Sequence, residues 1–507
     1  MTKPASVCRR TGGFLCGALC VLGTAVLGLL GVLNVVFTSD LDLHEKSTTQ
    51  AISPFDILSA VLLCAVLFLL LRFGDRIDEG RLFCVLAGIT LIGGLFLLFS
   101  ASGSLRADAY YVHEATQQIL RGDLSSFSPG GYLFRYPHQL GLVLYELPLT
   151  LIAPDAHILF FANLSCVIAT DLFVLRITQR LWENDRAVAR MTVFLSFAFL
   201  PQLFFILFAY GLIPGFTAMC AGLYLLLCFD QGGRWPCLIG GAALMATAVL
   251  IKKNFAIGAA AAVIFLVLRL LRQPDKRRAE ACLLVPAVCL LLRPAAYAVF
   301  TAATGTKTGD GMPSILWVAM GTDPDNRYFG PGWYDGYTEQ VYADSGYDTL
   351  RAAETGREKL RESLARFRTD PALAADFFGQ KLISTWCEPT FQSIWSGPLS
   401  WCGQSTHNAL ARSIYDQGTA YRVLSHGMKG LLIVLLLSAL GGVIAERRRP
   451  ERFAVPCLYL IGGVLFHLAW ETKSQYDYPY ILLLIPPAAS AQVRLYRRIM
   501  RGKADQA

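Results

Sequence analysis

The chain has 507 residues, 54% of them hydrophobic and 16% charged, whereas about a quarter of residues are charged in an average soluble domain. That composition excludes an ordinary water-soluble globule and calls for a bilayer. The net charge of +8 comes from basic residues gathered at the ends of apolar runs, a pattern of membrane orientation and not of nucleic-acid binding.

In chain order, the run from Phe14 to Phe37 follows Arg9 and Arg10 and is too long for the core of a signal peptide, so it reads as a first span. Further spans are expected over 55–71, 82–100, 157–178, 191–208, 212–229, 236–251, 254–271, 281–300, 427–445, 454–470 and 478–493, near the length a bilayer requires. Segment 139–153 is shorter and contains Glu146 and Pro148, which favours a re-entrant or tilted half-helix. The expected fold is an all-α polytopic membrane protein with about 12–13 transmembrane helices and two external loops, 101–138, short and helical, and 301–426, large and mostly helical. The expected domains are two N-terminal helices (1–81), a transmembrane core (82–300), the large loop (301–426), and C-terminal helices with a basic tail (427–507).

Orientation follows from placing Lys and Arg inside. The clusters Arg9/Arg10, Arg72 to Arg81, Arg180 to Arg190, Arg269 to Arg278, Arg447 to Arg452 and Arg494 to Arg501 then share one face, and both loops lie outside. Lys252, Lys253 and Lys473 fall on the external side against this rule, so they need another reason to be there.

Within the large loop, Ala353, Leu360, Leu364 and Phe367 recur at helical spacing over Thr349 to Arg368. Asp370 and Pro371 then open a second helix running to about Trp386. Aromatics such as Trp317, Trp333, Trp386, Trp395 and Trp401 could anchor at the headgroups or stack on sugars, and anchoring is the commoner role. Cys387 and Cys402 lie in this polar loop and could pair in an oxidising compartment.

The first external loop carries Asp108, where a helix of about 109–121 begins. Asp is a preferred N-cap, and a carboxylate held there could also take a proton from a sugar hydroxyl. This Asp after an early span, the run Gly130-Gly-Tyr-Leu-Phe-Arg-Tyr-Pro-His-Gln-Leu-Gly141, and Trp470-Glu-Thr-Lys-Ser-Gln-Tyr-Asp-Tyr-Pro479 before the last span resemble the GT-C membrane glycosyltransferases. Within that superfamily the chain is most similar to the bacterial branch related to protein O-mannosyltransferases and the aminoarabinose transferase, from about residue 82 onward.

The resemblance implies a GT-C-like fold in a multi-pass protein of the cell membrane, with the active site on the extracytoplasmic face. It implies inverting transfer of a hexosyl or pentosyl group from a polyprenyl-phosphate donor to an extracytoplasmic acceptor: a cell-envelope glycan, lipid or protein. Asp108 takes the catalytic role. Lys252, Lys253, Lys473, Arg135 and His138 are candidates for the donor phosphate, and Tyr136, Gln139, Glu471, Gln475, Tyr476 and Arg327 for substrate contacts, with the loop around Arg327 as a flap. Many relatives carry a second carboxylate directly beside the first, and here Ala109 stands there. No cofactor is called for, a divalent metal stays open, and the partners are the lipid-linked donor, the acceptor and membrane lipids. The competing readings are a lipid or glycolipid flippase or transporter, and a cell-surface polysaccharide polymerase or ligase.

Overall fold

A computed structural model describes residues 3–504, and it is an all-α polytopic membrane protein with one small hairpin. Among the described residues, eight helices are long and apolar enough to cross a bilayer, or nine if Arg186–Ala198 and Pro201–Leu207, bent by 46°, form one span. Pro201 at the start of the second piece accounts for the break, because it has no N–H to continue the ladder. The remaining three expected spans fall short of the length rule. Trp235–Ile251 has 17 residues and Ala454–Ala469 has 16, about 25 Å at 1.5 Å per residue, less than a hydrocarbon core of about 30 Å. The last is broken into Tyr478–Leu482 and Ile485–Ala504.

The basic clusters are joined at one end of the bundle. Arg186 pairs with Asp78 (2.9 Å), Arg190 with Asp75 (2.6 Å), Arg449 with Glu183 (2.7 Å), Arg497 with Asp185 (2.8 Å) and Arg272 with Glu451 (3.8 Å). Exposed pairs of this kind contribute little energy each. They do establish that these loops share a face, as the orientation rule expects.

At the other end lie both long loops and a feature the sequence presents as one more short link. Strands β1 (Phe37–Leu41) and β2 (Ser47–Ala51) form an antiparallel hairpin. Its edges are covered by the large loop: the Ser39 amide donates to the Cys387 carbonyl (3.2 Å) and the Ser47 amide to Phe329 (2.6 Å). Trp395 and Trp401 both donate their indole N–H to the Leu43 carbonyl in the turn (3.1 and 3.0 Å).

The segment expected as a half-helix is Leu140–Ile152, and it stays on this face. The helix Ala107–Leu120 touches its middle through His113 and Glu146 (3.3 Å), and receives the carbonyl of Pro154 just beyond its end through His113 and Gln117 (3.2 and 2.9 Å). Its Gly141 allows a very close approach, since a Cβ there would lie 1.8 Å from the Leu250 carbonyl oxygen. Leu133, Leu140, Val143, Ile251 and Leu316 form a separate apolar cluster beneath the first loop.

Several local expectations are corrected. Arg106, not Asp108, is the N-cap of Ala107–Leu120, and Asp108 sits inside the first turn. On Thr349–Thr369 the buried stripe is Ala352, Ala353, Gly356, Ser363 and Phe367, while Leu364 is exposed, because Gly356 packs on Ile315 and Leu316 and rotates the face. Asp370 caps Pro371–Trp386 as expected. Trp333 and Trp386 are core residues and Trp317 stacks on Trp470, so packing rather than headgroup anchoring occupies them. Cys387 is buried, Cys402 is exposed, and the two are not bridged.

Replacing Gly141 by Ala forces the two helices apart at Leu250. We expect a loss of about 1–3 kcal/mol, read as a lowered unfolding midpoint in detergent, whereas Gly17→Ala, which has open space around it, does not lower the midpoint.

Candidate active site

Four segments distant in sequence meet at Asp108. The helix Ala107–Leu120 presents the carboxylate from its first turn, and the short helix Tyr132–Arg135 brings Tyr132, whose hydroxyl donates to Asp108 Oδ1 at 3.1 Å. Tyr210 supplies a second phenol to the same carboxylate. It is placed by Gly211, whose φ of +74° turns the chain into Leu212–Asp230 in a conformation that favours glycine. Gln139 donates to the Tyr210 hydroxyl at 2.5 Å.

Lys252 follows the short helix Trp235–Ile251. Its ammonium donates to the Tyr210 carbonyl (3.3 Å), lies 3.9 Å from the centre of that ring, and is 6.0 Å from the ring of Tyr476. Burial pushes Asp108 above the usual carboxylate range, against the Tyr210 and Tyr132 hydrogen bonds and the charges of Lys473 and Lys252. Burial likewise lowers Lys252 to about 8, opposed by the Asp108 and Glu471 carboxylates.

The stretch 470–477 closes the other side. Lys473 is ion-paired with Glu45 from the hairpin turn. Burial disfavours its charge, but Glu45 and Glu471 outweigh that effect, and Lys473 stands above the usual lysine range. Glu471 is buried with Oε1 unpartnered, and burial lifts it to about 7 against Lys473 and Lys381. Tyr476 stacks on His467 (5.4 Å, 8°), and Gln475 beside it is buried.

The remaining expected residues are placed differently. Arg135 and Tyr136 both bind Glu339 Oε1 (2.7 and 2.6 Å), so that cation is already neutralised. His138 is driven down to about 3 by burial and by the charges of Lys253, Arg293 and Lys252, so at neutral pH it offers a hydrogen bond and no charge. Arg327 is tied to Asp376 (2.7 Å) and lies over Phe377, outside the Asp108 cluster. Among the described residues no three His, Cys, Asp or Glu side chains converge to hold a metal ion.

Sequence reasoning missed three participants. Glu45 lies in what reads as an ordinary connection. Arg293 falls within the expected span 281–300, yet it sits beside Lys253 and His138 and, among the described residues, pairs with no carboxylate. Lys381 reads as one more polar helix residue. It is buried, donates to the Gly321, Leu468 (3.1 Å) and Trp470 (2.8 Å) carbonyls, and so fixes the start of 470–477 against the large loop.

No family model matches the chain, and no curated protein matches it. Among solved structures, the crystal structure of ArnT from Cupriavidus metallidurans bound to undecaprenyl phosphate is similar over 81% of this chain and 77% of that one, with 11% identity and a TM-score of 0.33. A likeness of that size assigns neither residues nor reaction.

The Glu45–Lys473 pair is open to direct measurement. In Glu45→Gln the strongest of the influences that raise Lys473 is lost, and its pKa falls. Reductive ¹³C-methylation followed by NMR titration reads this as a Lys473 resonance that moves at lower pH than in the unaltered protein.

Proposed function

We propose that this protein is a membrane glycosyltransferase that moves a sugar from a polyprenyl-phosphate donor to an extracytoplasmic acceptor. The observation that carries the reading is the Asp108 cluster: a carboxylate above its usual range, held by two phenols and faced by two half-buried lysines, at the end of the bundle opposite the basic clusters. That end is the outer face by the orientation rule.

In this reading Asp108 takes the proton of the acceptor hydroxyl as its oxygen bonds to the anomeric carbon. The bond from that carbon to the phosphate oxygen breaks, and its electron pair leaves with the lipid phosphate. A base raised above the usual carboxylate range is better matched to this proton transfer at neutral pH. Lys252, Lys253 and Arg293 supply fixed positive charge for the departing phosphate, and Lys473 supports it from the other side. Fixed charge in a site shielded from water stabilises developing charge more strongly than it does in bulk solvent. His138 adds a neutral hydrogen bond, and Gln139, Glu471, Gln475 and Tyr476 line the sugar. Arg135, Tyr136 and Arg327 shape the loops around it.

Membranes carrying the protein are to be given radiolabelled polyprenyl-phosphate sugars. Asp108→Asn lowers transfer by about 10²–10⁴-fold, and transfer that survives the change intact removes Asp108 from the mechanism. Absence of transfer with every such donor favours a lipid transporter. The pH profile carries a second prediction. Activity rises as Asp108 ionises and falls as Lys252 loses its proton at about 8, so Lys252→Arg, which stays charged, moves the alkaline limb upward.

A further inference from the structure

A narrow cleft lies beside the Asp108 turn, lined by Ser102, Ser104, Arg106, Ser396, Gly397 and Gln404. Its walls are fixed by polar contacts. Gln404 donates to the Ser104 carbonyl (2.7 Å) and accepts from the Leu399 amide (3.1 Å), and the Ser102 and Ser104 hydroxyls meet at 2.9 Å. Phe208 also lines it and touches the Tyr210 ring at 5.6 Å, which connects the cleft to the phenols around Asp108.

Three observations point to a ligand here. Ser396 is 4% exposed, and its hydroxyl has no hydrogen-bond partner, a rare state for a buried polar atom. Arg106 stacks on Trp395 at 4.0 Å and donates to the Gly397 (3.3 Å) and Trp395 carbonyls. Two of the five guanidinium donors are thereby used, and among the described residues no carboxylate pairs with it. Burial brings Arg106 down to about 10, which leaves it charged at neutral pH. The third is the helix start itself. Arg106 and Ala109 line the cleft, and Arg106 caps Ala107–Leu120 without a side-chain hydrogen bond to the first turn, so the positive end of the helix dipole lies beside the cleft.

We infer that this cleft is the acceptor subsite and binds an acidic group, phosphate or carboxylate, carried next to the hydroxyl that receives the sugar. Arg106 takes the charge, supported by the helix dipole, and Ser396 gives the hydrogen bond it lacks. Arg106 lies two residues from Asp108, which brings the acceptor hydroxyl near the base. The assignment of an acceptor rests on the glycosyltransferase reading, while the acid site itself does not.

The test uses the full-length protein in detergent, saturated with polyprenyl phosphate so that the donor-phosphate cluster is occupied, with glycerol 3-phosphate, glucuronate and glucose as probes, followed by calorimetry. The acids bind at least about tenfold more tightly than glucose, and the tighter acid identifies the group. Arg106→Gln removes that preference, while Ser396→Ala and Arg106→Lys each weaken it about threefold. The two milder variants carry the test should Arg106→Gln fail to fold. Lys252→Gln leaves acid binding unchanged, because the donor-phosphate cluster is a different place. Equal binding of glucose, unaltered acid binding in the Arg106 and Ser396 variants, or loss of acid binding in Lys252→Gln overturns the inference. Acid binding that depends on Arg106 in a protein that transfers no sugar from any polyprenyl-phosphate donor keeps the acid site and removes the glycosyltransferase reading.

Discussion

A carboxylate withdrawn from water at the edge of a bilayer is costly unless hydrogen bonds and opposite charge replace its hydration. Asp108 meets that condition with Tyr132, Tyr210, Lys252 and Lys473, drawn from four separate parts of the chain. The same requirement passes outward. Lys473 is held by Glu45 from the hairpin, and Lys381 neighbours the backbone that leads to Glu471. Because each charge near the centre requires another, the hairpin, both loops and the ends of several helices are bound into one structure on one face.

The short helices acquire a meaning in this setting. Trp235–Ile251 stops before Lys252, Ala454–Ala469 stops before Trp470, and the last span begins after Asp477. Each of these three helix ends lies beside the Asp108 cluster. Ending about one turn or more short of a full crossing recesses these groups below the level at which the longer helices end. There water is scarcer and each charge acts more strongly. Close packing keeps the recess narrow, through the approach of Gly141 to Leu250 and of Gly211 to Ile251.

Much of this was legible in the sequence, and the misses have physical causes. Hydropathy and basic clusters located the spans and sorted the loops onto two faces, because both depend on local composition alone. Lys252 and Lys473 stood out because they break the positive-inside pattern. Glu45 gave no such signal, since a five-residue strand with alternating small polar residues looks like any connection, and its partner is more than four hundred residues away. The paired state of Arg135 and Arg327, and the neutral state of His138, depend on tertiary neighbours that no spacing reveals. The N-cap expectation for Asp108 failed by two residues, and the difference matters: a capping carboxylate is committed to backbone amides, whereas this one faces phenols and ammonium groups.

The central claim is that Lys252, Lys253 and Arg293 receive a lipid phosphate while Asp108 stands ready beside it. Cryo-electron microscopy of the full chain in nanodiscs with polyprenyl phosphate tests this most directly. The account predicts headgroup density between the Lys252–Lys253 turn and Arg293, continuing into a chain that leaves toward the bilayer. Headgroup density confined to the opposite face, among the basic clusters, contradicts it.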